Sequence, residues 1–150
     1  MQIIKNREIV QTAWLPEQTA LQTNSRQAIL PLKTWLEQLD FYRAGERPEP
    51  PPGVLLQPDE DIEPLKAWLT EIQVIAVNAA NFSDGRIYSI ARELRQFYHY
   101  TGEIRAIGAI YDNLSMMEQC GFDAFILHDE LSKEEAMSYF NEIEFDYSLR

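Results

Sequence analysis

The sequence predicts an α/β protein with about five βα units on a mainly parallel sheet. Three observations carry that prediction. Short apolar runs (AILPL, VLLQ, QVIAVNA, EIRAIGA, DAFIL) recur between residues 28 and 127. Each is followed by a segment whose apolar residues recur at helical spacing. The runs are apolar throughout rather than alternating, as in strands covered on both faces. Crossovers should be right-handed, but the pattern does not set strand order. A flavodoxin-like three-layer sheet is the first choice and a partial βα barrel the second. Residues 1–150 read as a single domain, since 150 residues can bury a core without disulfides or metal staples.

The N-terminal segment 1–27 is less regular. MQIIK and REIVQTAW flank the polar Lys5-Asn6-Arg7 and could form a hairpin, and residues 16–27 read as loop. AILPL is the first strand of the repeat. Leu32, Trp35, Leu36, Leu39 and Tyr42 then mark a helix that Gly45 ends. Residues 46–53 (ERPEPPPG) are a stiff proline-rich connector. After VLLQ, a helix should carry Ile62, Leu65, Trp68, Leu69 and Ile72 on one side, with Pro64 in its first turn. QVIAVNA leads to a helix from about Gly85 to Tyr98 that buries Ile87, Ile90, Ala91, Leu94 and Phe97. EIRAIGA leads to a helix that Asp112 would cap and Gly121 would stop, with Tyr111 stapled to Met116. DAFIL precedes the capping box Ser132-Lys133-Glu134-Glu135, the staple pair Leu131 and Ala136, and a stripe of Ala136, Met137, Phe140 and Ile143.

Composition excludes several function classes. Thirteen Lys and Arg face 24 Asp and Glu, a net charge of −11, which argues against nucleic acid or an anionic membrane as partner. One cysteine, Cys120, permits no internal disulfide and cannot hold an iron–sulfur cluster. His99 and His128 match no zinc spacing, so no metal site is expected. Neither G-x-G-x-x-G nor G-x-x-x-x-G-K-[ST] occurs, so no nucleotide fingerprint is present and the cofactor stays open. No apolar run approaches the ~18 residues of a membrane helix. MQIIKNREIVQ lacks the apolar core of a signal peptide. A cytoplasmic protein is expected.

Ligands of open parallel sheets sit beyond the carboxyl ends of the strands. The richest such loop is NFSDGR, where Asp84, Gly85 and Arg86 meet a helix start with Ser89 in its first turn. Free helix amides and a guanidinium together favour an anion. The competing reading is an ordinary helix start, with Asp84 as cap, Gly85 for backbone freedom and Arg86 solvated or ion-paired. Asp112 is a further candidate with capping as its ordinary role. Arg105 and His128 are weaker ones: Arg105 lies near the start of a buried strand, where a structural ion pair with Glu103 or Glu93 would explain it. His99 suits a helix C-terminus, and Asp59-Glu60-Asp61-Glu63 suits a helix N-terminus. Cys120, in an apolar stripe with no evident base beside it, reads as an inert buried thiol.

NFSDGRIYSIARELR, GEIRAIG and CGFDAF, taken with their spacing, resemble a bacterial family labelled as an oxidoreductase involved in sulfite reduction. The resemblance spans about residues 53–127 and falls on Phe82, Asp84, Gly85, Arg86, Tyr88, Ser89, Arg95, Arg105, Gly108, Asp112, Cys120, Gly121, Phe122 and Asp123. Ala80-Asn81, Asn113 and Gln119 depart from its pattern, the last by removing a positive charge beside Cys120. The resemblance implies a place in assimilatory sulfate and sulfite reduction. The expected role is an accessory protein whose partners are sulfur-assimilation enzymes. The alternative is a small enzyme or sensor that binds an oxyanion or phosphate-bearing ligand at Asp84-Gly85-Arg86. No catalytic motif decides whether the chain is an enzyme.

Overall fold

Six parallel strands follow one another across the sheet of the computed structural model, which describes residues 1–23, 26–81, 83–129 and 131–148. They are β3 (Leu15–Pro16), β4 (Ala28–Pro31), β5 (Gly53–Leu56), β6 (Val74–Asn78), β7 (Glu103–Ala109) and β8 (Ala124–Leu127). The predicted hairpin, β1 (Gln2–Lys5) and β2 (Glu8–Gln11), adds two antiparallel strands beside β8, giving the order β2-β1-β8-β7-β6-β5-β4-β3. Its two-residue turn has Asn6 and Arg7 both at positive φ (52° and 63°), the turn hand that matches strand twist.

The α/β class and the parallel sheet stand, but the first-choice three-layer arrangement does not. A flavodoxin-like sheet reverses its strand order part-way, so that helices fall on both faces. Here the order is sequential, and right-handed crossovers then place the helices on one face. The sheet curls into a half-barrel, the second choice. Chain length makes the curl unavoidable: only Thr12, Ala13 and Trp14 separate the two edge strands, a span of at most ~14 Å between Gln11 and Leu15. Eight flat strands would hold those edges ~34 Å apart.

The convex face carries α2 (Leu32–Arg43), α3 (Arg86–Gln96), α4 (Leu114–Cys120) and α5 (Lys133–Ser148), with α1 (Glu17–Thr23) at the β3 edge. Its core joins Val54, Leu56, Ile75, Val77, Ile104, Ala106 and Phe125 of the strands to Trp35, Leu39, Leu94, Met117 and Phe140 of the helices. The concave face has its own smaller core of Ile29, Val74 and Ala76, onto which Trp14, Leu55 and Ile107 pack.

Several elements differ from expectation for identifiable reasons. Residues 17–23, expected as loop, form α1; among its described side chains Ala20 alone is buried, too little to show a period. The segment after β5 is a 3₁₀ helix, Glu63–Trp68, rather than an α-helix. The spacing Ile62, Leu65, Trp68 is a three-residue period, which suits that tighter turn. Phe97 lies past the last turn of α3 and is exposed. Asp112 caps nothing: it sits in the 3₁₀ turn Tyr111–Asn113, and α4 starts without a side-chain cap. Tyr111 stacks on Tyr139 and donates to Ser132 O (2.9 Å), leaving Met116 exposed. Ser132 Oγ accepts from Glu135 N–H (3.3 Å), but its hydroxyl donates to Glu134, so half of the capping box forms. The Ile143 side chain and Phe82 lie outside the described residues. Gly45 (φ 80°) ends α2 as expected, with Glu46 N–H donating to Phe41 O and Gly45 N–H to Tyr42 O.

The amino ends of the strands are held by one arginine. Arg95 of α3 donates from Nε to Gly121 O (2.9 Å) and from Nη1 to Tyr100 O (2.8 Å) and Gly102 O (2.7 Å). Its Nη2 lies 3.5 Å from Asp123. Gly121 (φ 127°) leaves no room for a Cβ against the Arg95 stem, and Gly102 leaves none against the Tyr100 ring. Asp123 accepts from Ile104 N–H (2.8 Å), and burial pushes its carboxyl above the ordinary range.

Tyr100 is buried and donates to Ile72 O (2.9 Å), and burial raises its phenol well above the ordinary tyrosine range. An unfolded tyrosine loses its proton near pH ~10, while folded Tyr100 still holds it. Over that window the native state binds more protons, so stability should fall as pH rises above ~10. Tyr88 and Tyr111 are raised too and share the effect. Tyr100→Phe is expected to flatten this alkaline limb by up to one proton's slope while lowering stability at pH 7, where the Ile72 bond is lost. Urea melts between pH 7 and 11 would test this; an unchanged slope would mean Tyr100 has no part in it.

Candidate functional site

Toward the carboxyl ends of β4, β5, β7 and β8 lies a cavity of about 470 Å³ on the concave face. Its walls are Pro16, Ile29, Pro31, Leu55, Ile107 and Ile126 from the strands, and Glu17, Gln18 and Thr19 from the start of α1. In barrels this end of the sheet is where ligands are held, because the loops there can vary without disturbing the strands. The strands place these side chains by alternation. Leu55 pairs with Ala76 and Asn78 with Ile107, so one face of each strand turns inward.

Arg105 is the one charged strand residue lining the cavity, and it is fully buried. It lies opposite Ala76 on one side and Ala124 on the other, whose small side chains leave space for it. Its Nε donates to Glu103 Oε2 (2.6 Å), the ion pair anticipated from the sequence. Lys5 approaches the other Glu103 oxygen at 3.2 Å. The terminal nitrogens of Arg105 bind the chain between the two sheet edges: Nη1 donates to Trp14 O (3.2 Å) and Nη2 to Thr12 Oγ1 (2.9 Å). Thr12–Trp14 is therefore a strap laid over the concave face and fastened by Arg105.

On the rim, Asn78 donates to Gln57 Oε1 (2.8 Å) and accepts from Ala80 N–H (3.0 Å). Asp84 makes a bidentate ion pair with Arg86 (2.7 Å for the shortest contact) and caps its backbone N–H (3.0 Å). That pairing holds the Asp84 carboxyl below its usual range. Arg86 remains largely exposed and does not line the cavity. Gly85 has φ −63° and open space about it, so the backbone freedom expected of it is not used. The Ser89 hydroxyl leans on Gly85 O at 3.5 Å. Asp112 and His128 are exposed, and His128 is held by its backbone N–H to Ala109 O (2.7 Å). Thus Asp84, Gly85, Arg86 and Ser89 share one helix start, while Arg105 stands apart from them inside the half-barrel.

Cys120 is buried, as expected, but it has a cationic neighbour: Arg92 Nη2 lies 3.2 Å from its sulfur. The two belong to α3 and α4, 28 positions apart, a distance no local pattern displays. Among the described residues no group of three or more His, Cys, Asp or Glu could hold a metal, and no helix is long and apolar enough to cross a membrane.

The family model described as "Bacterial protein of unknown function (DUF934)" matches residues 53–150, well over half of the chain. The chain belongs to that family. No curated protein and no solved structure matches it. The matched stretch begins at β5 and contains Arg86, Arg95, Arg105, Cys120 and Asp123. The hairpin, the strap, β4 and α2 lie before it. In this DUF934 chain the motif residues divide by task. Arg95, Gly102, Gly121 and Asp123 build the amino-end latch, Asp84 and Arg86 build a helix start, and Arg105 alone faces the cavity. Sequence reasoning missed Leu55, Ile107 and Ile126 as a lining, because apolar strand residues look alike whichever face they occupy.

Proposed function

We propose that this DUF934 protein is a ligand-binding accessory of bacterial assimilatory sulfate and sulfite reduction, with its binding site in the mouth of the half-barrel. The pathway rests on the resemblance carried by the DGR, GEIRAIG and CGFDAF motifs. The site rests on one observation: a cavity of about 470 Å³ toward the carboxyl ends of the strands, apolar along its strand walls, with Glu17, Gln18 and Thr19 on one side and the buried Arg105 beneath. This is the size and make-up of small-molecule pockets. The partners in this reading are sulfur-assimilation enzymes in the cytoplasm, to which the protein would present or withhold its ligand. The alternative anion site at Asp84-Gly85-Arg86 is less well supported, since the guanidinium there already has a carboxylate against it.

Thermal stability against sulfite, sulfate, phosphoadenylyl sulfate, NADPH and FAD tests the site, because a ligand that binds only the folded state raises the melting temperature. A shift should persist in Arg86→Ala and vanish in Leu55→Trp, where an indole fills the mouth. The opposite pattern would return the site to the Arg86 loop. A deletion strain should grow poorly on sulfate or sulfite and normally on cysteine; equal growth on all three would remove the pathway assignment.

A further inference from the structure

We propose a further binding site, on the opposite face of β4 from the mouth, whose ligand is a short apolar peptide with both termini free. The site is a trench of about 580 Å³ between α1 and α2. Ile29 turns to the concave core, so its neighbours Ala28 and Leu30 turn to the convex face and make the trench floor. α1 packs on β3 and β4, and α2 on β4 and β5. Both helices line the trench, so they stand apart over β4. Leu21 of α1 lies in its wall and is 75% exposed, a large apolar side chain left open. The proline-rich connector closes one end and is fastened in place. Trp35 Nε1 donates to Pro51 O (2.9 Å), Arg47 Nε to Glu49 O (2.7 Å) and Gln73 N–H to Pro52 O (2.7 Å). A cavity of this size with a fixed wall suits a small ligand.

The charges around the trench are sorted by end. Pro16 lies level with Ile29, so Glu17 comes level with Leu30, toward the carboxyl end of β4. Arg26 precedes β4, at its amino end. Arg47 belongs to the same end: its Nη1 donates to Gln38 (3.0 Å), which α2 has carried ~9 Å back from its start. Glu49 is held beside it by the Arg47 bond to its carbonyl. The amino end thus carries two cations and one carboxylate, and the carboxyl end one carboxylate. None of the four has an ion-pair partner among the described residues. Arg47 spends Nε and Nη1 on neutral acceptors and leaves Nη2 without one. The trench is therefore positive at one end and negative at the other, with the poles ~10 Å apart along β4. A carboxylate fits the guanidinium end and an ammonium fits Glu17. A simple anion or cation would satisfy one pole only. Three extended residues span ~10 Å, so a tripeptide with free termini reaches both poles. Its side chains would lie on Leu21 and Leu30, with Thr34 and Gln38 of α2 beside its amides.

The test is a titration of methyl-labelled protein followed by NMR, comparing the trench methyls of Leu21, Ala28 and Leu30 with the mouth methyls of Leu55, Ile107 and Ile126. The probes are the tripeptide Ala-Leu-Ala with free termini, its N-acetylated, C-amidated and doubly blocked forms, and leucine. The free tripeptide should shift the trench methyls saturably and leave the mouth methyls in place. Blocking either terminus should weaken binding about tenfold, the loss of one charge-assisted contact, and leucine, too short to reach both poles, should bind at least as weakly. Glu17→Gln breaks no ion pair or side-chain hydrogen bond among the described residues, so the protein should keep its dispersed spectrum. It should bind the free and N-acetylated peptides alike. Equal binding of the doubly blocked form to the parent protein would overturn the zwitterion and make the occupant an internal segment of a longer chain. Equal binding of leucine would overturn the two-pole reading. Shifts confined to the mouth methyls, or none with any probe, would overturn the trench as a site and leave the mouth to its own test.

Discussion

Arg95→Ala is expected to cost the fold about 3–5 kcal/mol, a drop of roughly 10 °C in melting temperature for a chain of this size. The guanidinium joins α3 to two separate connections, the one before β7 through Tyr100 O and Gly102 O and the one before β8 through Gly121 O. Hydrogen bonds from a charged donor contribute about 1.5–3 kcal/mol each. Arg95 keeps some exposure, so water can replace part of what is lost, and the sum is discounted accordingly. Arg95→Lys should recover only a small part, because one ammonium cannot reach three carbonyls set around a planar fork. Urea unfolding of the three proteins checks this. A loss below ~1 kcal/mol in Arg95→Ala would show that the connections hold themselves.

Arg105→Met is expected to cost about 3–5 kcal/mol, the usual penalty for breaking a buried ion pair from one side. The damage is twofold. Glu103, itself buried, keeps only Lys5, and the strap loses both of its bonds to Arg105. Adding Glu103→Gln should restore part of the stability, because the buried carboxylate is then neutral. The double variant should therefore cost about 1–3 kcal/mol less than the two single losses added together. Limited proteolysis gives an independent readout: Arg105→Met should be cut faster between Thr12 and Trp14 than the parent protein. Additive losses with unchanged cleavage would mean that Trp14 packing and the Thr12 N–H bond to Met1 O hold the strap without Arg105.

Much of the chain's local order is legible in its sequence. The strands appeared as apolar runs, α2 and α3 as helical stripes, Gly45 and Gly121 as stops, and Ser132 as a cap. Each depends on residues a few positions apart, and periodicity and capping chemistry act over that range. The Arg105–Glu103 pair was also within reach, because two positions along a strand return to the same face. The Arg86 loop looked like an anion site because its neighbours in sequence suit one. The bidentate pair with Asp84 depends on side-chain placement that the sequence pattern leaves open.

What the one-dimensional pattern specified is an α/β chain with a hairpin, its repeat of strand and helix, and the family motifs. Tertiary structure decided the sequential strand order, the curl that a three-residue strap imposes on eight strands, and hence which face of each strand is hollow. It also brought Arg92 to Cys120 and Arg105 to Thr12, pairs 28 and 93 positions apart. The physical reason is range. Turn and helix preferences are set by neighbours along the chain, whereas a cavity is a property of the closure of the whole sheet, and many sequences with the same local pattern would close differently.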